Sequence, residues 1–170
     1  RGFGVEIEMV ADNGWDTVAK SMAERGLRVV DSSDENVDFL DIPRSVLLRR
    51  WVLVEDGSIQ GGDYAYGVEI RSPVLRGTKG FKDLMLAFDA AAENGHVNRS
   101  CGLHVHVGAE DLDPKGAERL LSSYGHVQKI ISASLPGSRS ENEYCQQIPG
   151  DALSQVSRTR EGGPTFHNRY

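Results

Sequence analysis

Residues 3–9 read Phe-Gly-Val-Glu-Ile-Glu-Met, an unbroken alternation of apolar with small or charged side chains. Successive side chains of a β-strand point to opposite faces, so this pattern makes one buried face and one polar face. Val5 and Ile7 take the core side. Glu6 and Glu8 then share the other, where two carboxylates repel each other unless water or a cation lies between them. Two solvated glutamates on an open sheet face would satisfy the same pattern.

Two further segments repeat the design. In Gly67-Val68-Glu69-Ile70-Arg71-Ser72-Pro73, Val68 and Ile70 face the core while Glu69 and Arg71 face away, and Pro73 ends the ladder. In Cys101-Gly102-Leu103-His104-Val105-His106-Val107-Gly108, Leu103, Val105 and Val107 form the core face and the two histidines share the opposite one. The histidines read either as a metal or phosphate site or as a hydrogen-bonded pair on a polar face. Glu69 alone reads as part of a cross-strand ion pair in the neighbourhood of Arg71.

Helical spacing of Trp15, Val18, Ala19 and Met22 predicts a helix up to Arg25, with Gly26 as its C-terminal stop. Leu27–Val30 and Trp51–Val54 read as strands, with a turn at Asp56-Gly57. A second helix is expected over about residues 80–93, capped by Thr78, with Phe81, Leu84, Met85, Phe88 and Ala92 as its apolar stripe. Asp113-Pro114 is an N-cap followed by proline at N1, opening a long helix over about residues 115–134. The acidic stretch Asp31, Asp34, Glu35, Asp38 and Asp41 reads as a solvated loop, or as an acidic metal site. Gly61-Gly62-Asp63 marks another loop, and residues 136–164 read as irregular loops with short helical pieces. Strands and helices in this order predict an α+β fold with a largely antiparallel sheet.

At 170 residues the chain is the size of one domain. A net charge of −6 argues against a nucleic-acid binder relying on bulk attraction to phosphate. The longest uninterrupted apolar run is Leu84–Phe88, far short of the roughly 20 residues of a membrane span. Cys101 and Cys145 could form one disulfide, but that is sparse for a stapled secreted domain, and the plainer reading is two reduced thiols of a cytoplasmic protein.

If the three strand segments pair in one sheet, its polar face collects Glu6, Glu8, Glu69, His104 and His106. Hard carboxylate oxygens favour Mg²⁺ or Mn²⁺, and imidazole also tolerates Zn²⁺. The chain has neither a Gly-x-x-x-x-Gly-Lys-Ser/Thr loop nor a Gly-x-Gly-x-x-Gly turn, so the common phosphate cradles are absent. Arg139, just past Pro136-Gly137, reads as a phosphate or carboxylate clamp or as an exposed loop arginine.

Five blocks in this order carry a family resemblance: Phe3-Gly4-Val5-Glu6-Ile7-Glu8; Trp51 with Asp56-Gly57-Ser58; Glu69-Ile70-Arg71-Ser72-Pro73; Cys101 through Gly108; and Ser138-Arg139 with Asn142-Glu143-Tyr144-Cys145. Together they resemble the amidoligase family, relatives of glutamine synthetase and glutamate–cysteine ligase. The resemblance implies a glutamine-synthetase-like sheet, with helices packed on one face and a metal and nucleotide site on the other. It implies an ATP- and Mg²⁺- or Mn²⁺-dependent carboxylate–amine ligase working through an acyl phosphate. Its substrates would be a small amino acid, peptide or amine, or a protein acceptor, with no nucleic acid or membrane partner.

Carried over onto this sequence, Glu6, Glu8, Glu69 and His104 would hold divalent ions, and His106 would lie beside the nucleotide. Arg139 would face phosphate or the substrate carboxylate, and Asp56 and Ser58 would sit at the rim of the substrate side. Glu8, Glu69 and Arg139 would be the catalytic set. The family pattern continues with a Glu-x-Arg strand. Arg158, Arg160 and Arg169 follow Arg139 here, but no such triplet does, and His167-Asn168-Arg169-Tyr170 looks like its run-up. With no initiator Met either, the expectation is a single catalytic domain over residues 1–170, truncated at its C-terminus. Two rival readings stand: a metal-dependent hydrolase using the His-x-His and Glu face, and a non-catalytic nucleotide- or peptide-binding remnant.

Overall fold

In the computed structural model, residues 1–30, 42–61, 66–140 and 147–149 are described. The expectations for Asp31–Asp41, Gly62-Asp63, Glu141–Cys145 and residues 150–170 fall outside them. The chain divides into two units, Arg1–Gly108 and Ala109–Tyr170.

The first unit is organised around β1 (Phe3–Ala11), the strand announced by the opening alternation. It is followed by α1 (Trp15–Glu24), a short α2 (Arg44–Leu47), β2 (Val52–Glu55), β3 (Tyr66–Arg71), α3 (Gly77–Asn94), the two-residue β4 (Gly95–His96) and β5 (Leu103–Val107). β1 pairs with β3 on one side and with β5 and β4 on the other, and β2 extends the sheet beyond β3. Every one of these pairings is antiparallel. The result is an open antiparallel sheet with helices, an α+β fold.

Val5, Ile7, Met9, Leu53, Val68 and Ile70 present the core side of the sheet, and Val18 and Met22 of α1 with Ala87, Ala90 and Ala91 of α3 close over it. α1 stops where its sequence says it should. Gly26 adopts φ 84°, a conformation that costs residues with a Cβ, and its N–H and that of Leu27 bond back to Ala23 and Met22.

Four expectations are corrected here. α3 starts at Gly77 with Arg76 as its cap residue, so Thr78 lies inside the helix and caps nothing. Its buried face is the small one. Gly80, Ala87, Ala90 and Ala91 lie against the sheet, whereas Phe81 and Met85 are 61% and 57% exposed and Ala92 is exposed too. A side chain at Gly80 would sit 2.9 Å from Leu75 Cβ, so the helix approaches by presenting small residues. Leu84 and Phe88 are half-buried and pack against the core as the stripe predicts, while Phe81 meets Phe3 at the flank with ring centroids 5.1 Å apart and tilted planes.

Leu103, Val105 and Val107 lie on the core side, since Val105 pairs with Val5 and Leu103 with Ile7, yet none joins the buried cluster. β5 is bonded only to β1 among the described residues, and the helices cover the strands on the other side of it. Leu27–Val30 forms no strand. Only Val29 makes a parallel bridge, to Trp51.

In the second unit, Asp113 accepts a hydrogen bond of 2.6 Å from the Gly116 N–H and starts α4 (Pro114–Ala133). Buried Gln128 grips Ile148 in both directions, donating to its carbonyl and accepting from its N–H. The four-residue α5 (Gly137–Ser140) carries Arg139. No helix among the described residues is long and apolar enough to cross a membrane.

Truncation separates the two faces of this packing. Ile70→Ala should cost about 2–5 kcal/mol in urea unfolding, the usual range for a buried aliphatic residue. Met85→Ala should stay within about 0.5 kcal/mol, as a surface position does. Equal losses would mean that the bulky stripe of α3 is buried after all.

Candidate functional site

Strand pairing builds the polar face in rows. Glu6 of β1 stands opposite His104 of β5 on one side and Arg71 of β3 on the other. Glu8 stands opposite Glu69. Gly4 faces His106 and offers no side chain to block it. All three strand segments therefore deliver their polar residues to one surface.

Glu6 is the acceptor for both histidines. Its Oε2 lies 3.0 Å from His104 Nδ1 and 3.2 Å from His106 Nε2. An ionised carboxylate only accepts, so each of those nitrogens carries a proton. For a neutral His104 this leaves Nε2 as the acceptor nitrogen, 3.7 Å from Glu8 Oε1. Burial pushes the Glu6 carboxyl up, but the hydrogen bonds from His104 and His106 and the charges of His106 and Arg71 outweigh it. The net result is a carboxyl held below its ordinary value.

Glu8 is fixed by backbone. Its Oε2 accepts a 2.6 Å hydrogen bond from the Gly102 N–H, and its own N–H donates to the Gly102 carbonyl at 3.1 Å. Glu69 is buried and paired with the guanidinium of Arg71. Asp56 joins them from the turn after β2. Its N–H donates to the Gly67 carbonyl, and its Oδ1 accepts from both the N–H and the hydroxyl of Ser58. The turn can lie this close because residue 67 is glycine: a Cβ there would stand 2.4 Å from the Asp56 carbonyl oxygen.

Glu8, Asp56 and Glu69 each offer a carboxylate oxygen, and the three oxygens lie within 4.8 Å of one another. Mg²⁺ binds oxygen at about 2.0–2.1 Å and Ca²⁺ at about 2.3–2.6 Å, so oxygens across one ion stand about 4–5 Å apart. The spacing and the all-oxygen donor set both suit a hard divalent cation, and the set holds no thiolate that would favour zinc.

The structure thus gathers Glu6, Glu8, Glu69, His104 and His106 on one face, and it sets Asp56 beside Glu8 and Glu69. Ser58 contacts Asp56. Arg139 belongs to the second unit, on α5. Two contributors escaped the sequence reading. The Gly102 N–H has no side-chain signature. Gly67, however, is a glycine inside a strand pattern, the usual mark of close backbone approach. Cys101 is buried with Val10 and Ile59 on the same side of β1 as the two glutamates.

The family model described as "Putative amidoligase enzyme" covers residues 1–167. No curated protein and no solved structure gives a significant match.

The lowered carboxyl of Glu6 makes a pH-dependent contribution to folding. It is present above the ordinary carboxylate value of 4.5 and is lost as pH falls through the lower folded-state value. Glu6→Gln should therefore be less stable than the wild type at pH 7, and the two should converge as pH falls below 4.5 and on through the lower folded-state value. Urea midpoints measured across that range test this. A difference that persists unchanged throughout the acid range would show that Glu6 acts through packing.

Proposed function

Since the chain belongs to the amidoligase family, we propose that it is an ATP- and divalent-metal-dependent carboxylate–amine ligase with a glutamine-synthetase-like catalytic sheet. The observation that carries this reading is the convergence of the carboxylates of Glu8, Asp56 and Glu69. Those three residues would hold Mg²⁺ or Mn²⁺. When bound, such an ion neutralises the charge that develops on phosphoryl oxygens.

In the reaction, an oxygen of the donor carboxylate attacks the γ-phosphorus of ATP. The bond from that phosphorus to the β–γ bridging oxygen breaks, ADP leaves, and an acyl phosphate forms. The amine then attacks the acyl carbon, loses a proton, and expels inorganic phosphate. There is little covalent work for the protein in the first step, so positioning and electrostatic stabilisation dominate it.

Each side chain has a part in that. Glu8 is held by Gly102, so its carboxylate keeps one orientation as charge moves past it. Arg71 partly neutralises Glu69, which eases the repulsion among three clustered carboxylates. Glu6 orients His104 and His106 toward the nucleotide side. Arg139 is assigned to phosphate or to the substrate carboxylate, which a planar guanidinium can meet with two parallel hydrogen bonds. The substrates fall in the class of amino acids, peptides, amines or a protein acceptor, and the cytoplasm, where ATP is abundant, is the site of action.

The zinc-hydrolase reading has less support. The carboxylates of Glu8, Asp56 and Glu69 come together with no histidine among them, a donor set that suits a harder ion than zinc.

Glu8→Gln should keep the fold, because the residue faces away from the core. It should cut amine-dependent phosphate release from ATP by about a hundredfold or more, the scale of losing one positioned charge stabiliser. Chelation of divalent ions should abolish the same activity in the wild type, and added Mg²⁺ or Mn²⁺ should restore it. Full activity in the variant or in the chelated enzyme would remove Glu8 or the metal from the mechanism.

A further inference from the structure

The turn that presents Asp56 and the segment that pins Glu8 come from distant parts of the chain, and two side chains, Asn98 and Ser100, join them. Asn98 Nδ2 donates to the Gln60 carbonyl at 2.7 Å. Its Oδ1 accepts from the Ser100 N–H at 2.8 Å and from the Ser100 hydroxyl at 2.6 Å. Ser100 Oγ in turn accepts from the Gln60 N–H at 2.9 Å, closing a two-way stitch between the segments. Beneath the stitch, Ile59 and Cys101 pack with Val10, so the two segments share a buried floor.

We propose that Asn98 is a positioning residue for the metal-binding carboxylates, setting the separation between Asp56 and Glu8 by tying the Gln60 segment to the segment that ends in Gly102. The proposal rests on the metal reading above. On one side, Ile59 N–H closes the turn onto the Asp56 carbonyl, one residue before Gln60. On the other, Gly102 follows Ser100 and Cys101 directly and donates its N–H to Glu8. There is little slack at that end. A Cβ on Gly102 would lie 3.1 Å from Glu8 Oε2 and 3.2 Å from His104 Nε2, closer than such contacts comfortably allow. A shift of the 98–102 segment is therefore transmitted to Glu8, while Asp56 stays with the turn. Residues that hold metal ligands from behind typically govern affinity by about 10–100-fold.

Asn98→Asp separates this role from a purely local one. Aspartate keeps the acceptor that bonds Ser100, so the turn survives, but it loses the donor to Gln60 and sets an oxygen against that carbonyl. The measurement is Mn²⁺ affinity of the full chain by electron paramagnetic resonance, with urea unfolding alongside. We expect Asn98→Asp and Asn98→Ala to weaken Mn²⁺ binding about tenfold or more, and Gly102→Ala to do the same by displacing Glu8. If the Asn98 variants do not fold, Ser100→Ala removes the other half of the stitch and carries the same expectation.

Glu8→Gln is the control. If it abolishes Mn²⁺ binding while Asn98→Asp binds within twofold of the wild type, the positioning role is wrong and the metal reading stands. If Glu8→Gln binds Mn²⁺ as tightly as the wild type, the metal reading fails, and this proposal fails with it.

Discussion

Like-charge repulsion on one side of β1 is the constraint around which the site is built. Glu6 and Glu8 project from the same face two residues apart, and their mutual cost grows as water is excluded. Each carboxylate is met by a different kind of donor. Glu6 has two imidazoles from β5, Glu8 has a backbone N–H from the segment just before it, and Glu69 has the Arg71 guanidinium. The neighbours of β1 are thus needed for electrostatics as well as for packing. With β3 alone, the histidines would be missing; with β5 alone, the cationic partner and the third carboxylate would be.

Much of this was legible in the sequence because period-two alternation is a strong signal. It placed Val5, Ile7, Val68 and Ile70 in the core and Glu6, Glu8, Glu69, His104 and His106 on one face, which is how the structure arranges them. Alternation says which residues share a face, but not whether anything covers that face. Leu103, Val105 and Val107 therefore read as core and are exposed, since burial depends on where the helices stop and not on the strand's own pattern.

The misreading of α3 has a different origin. A hydropathy stripe weights Phe81 and Met85 heavily, while the packed side is selected by size: glycine and alanine allow the helix backbone to come near the sheet. Asp56 illustrates a third limit. Its turn was readable from Asp56-Gly57, and its company was not, because the approach to Glu69 depends on the missing side chain of Gly67 in another strand. Proximity between turns is a tertiary fact that local patterns do not carry.

The strand order has a kinetic consequence. β1 comes first in the chain, but its partners β3 and β5 follow roughly sixty and a hundred residues later. Both pairings close long loops before any contact repays the lost chain entropy. Folding that relies on such distant pairings is slow compared with that of helical bundles, whose contacts are local. The polar face is therefore a late product of folding. Until β5 docks, Glu6 and Glu8 have none of the donors that hold them in the native state, and α1 can form well before the carboxylates have any arrangement to offer.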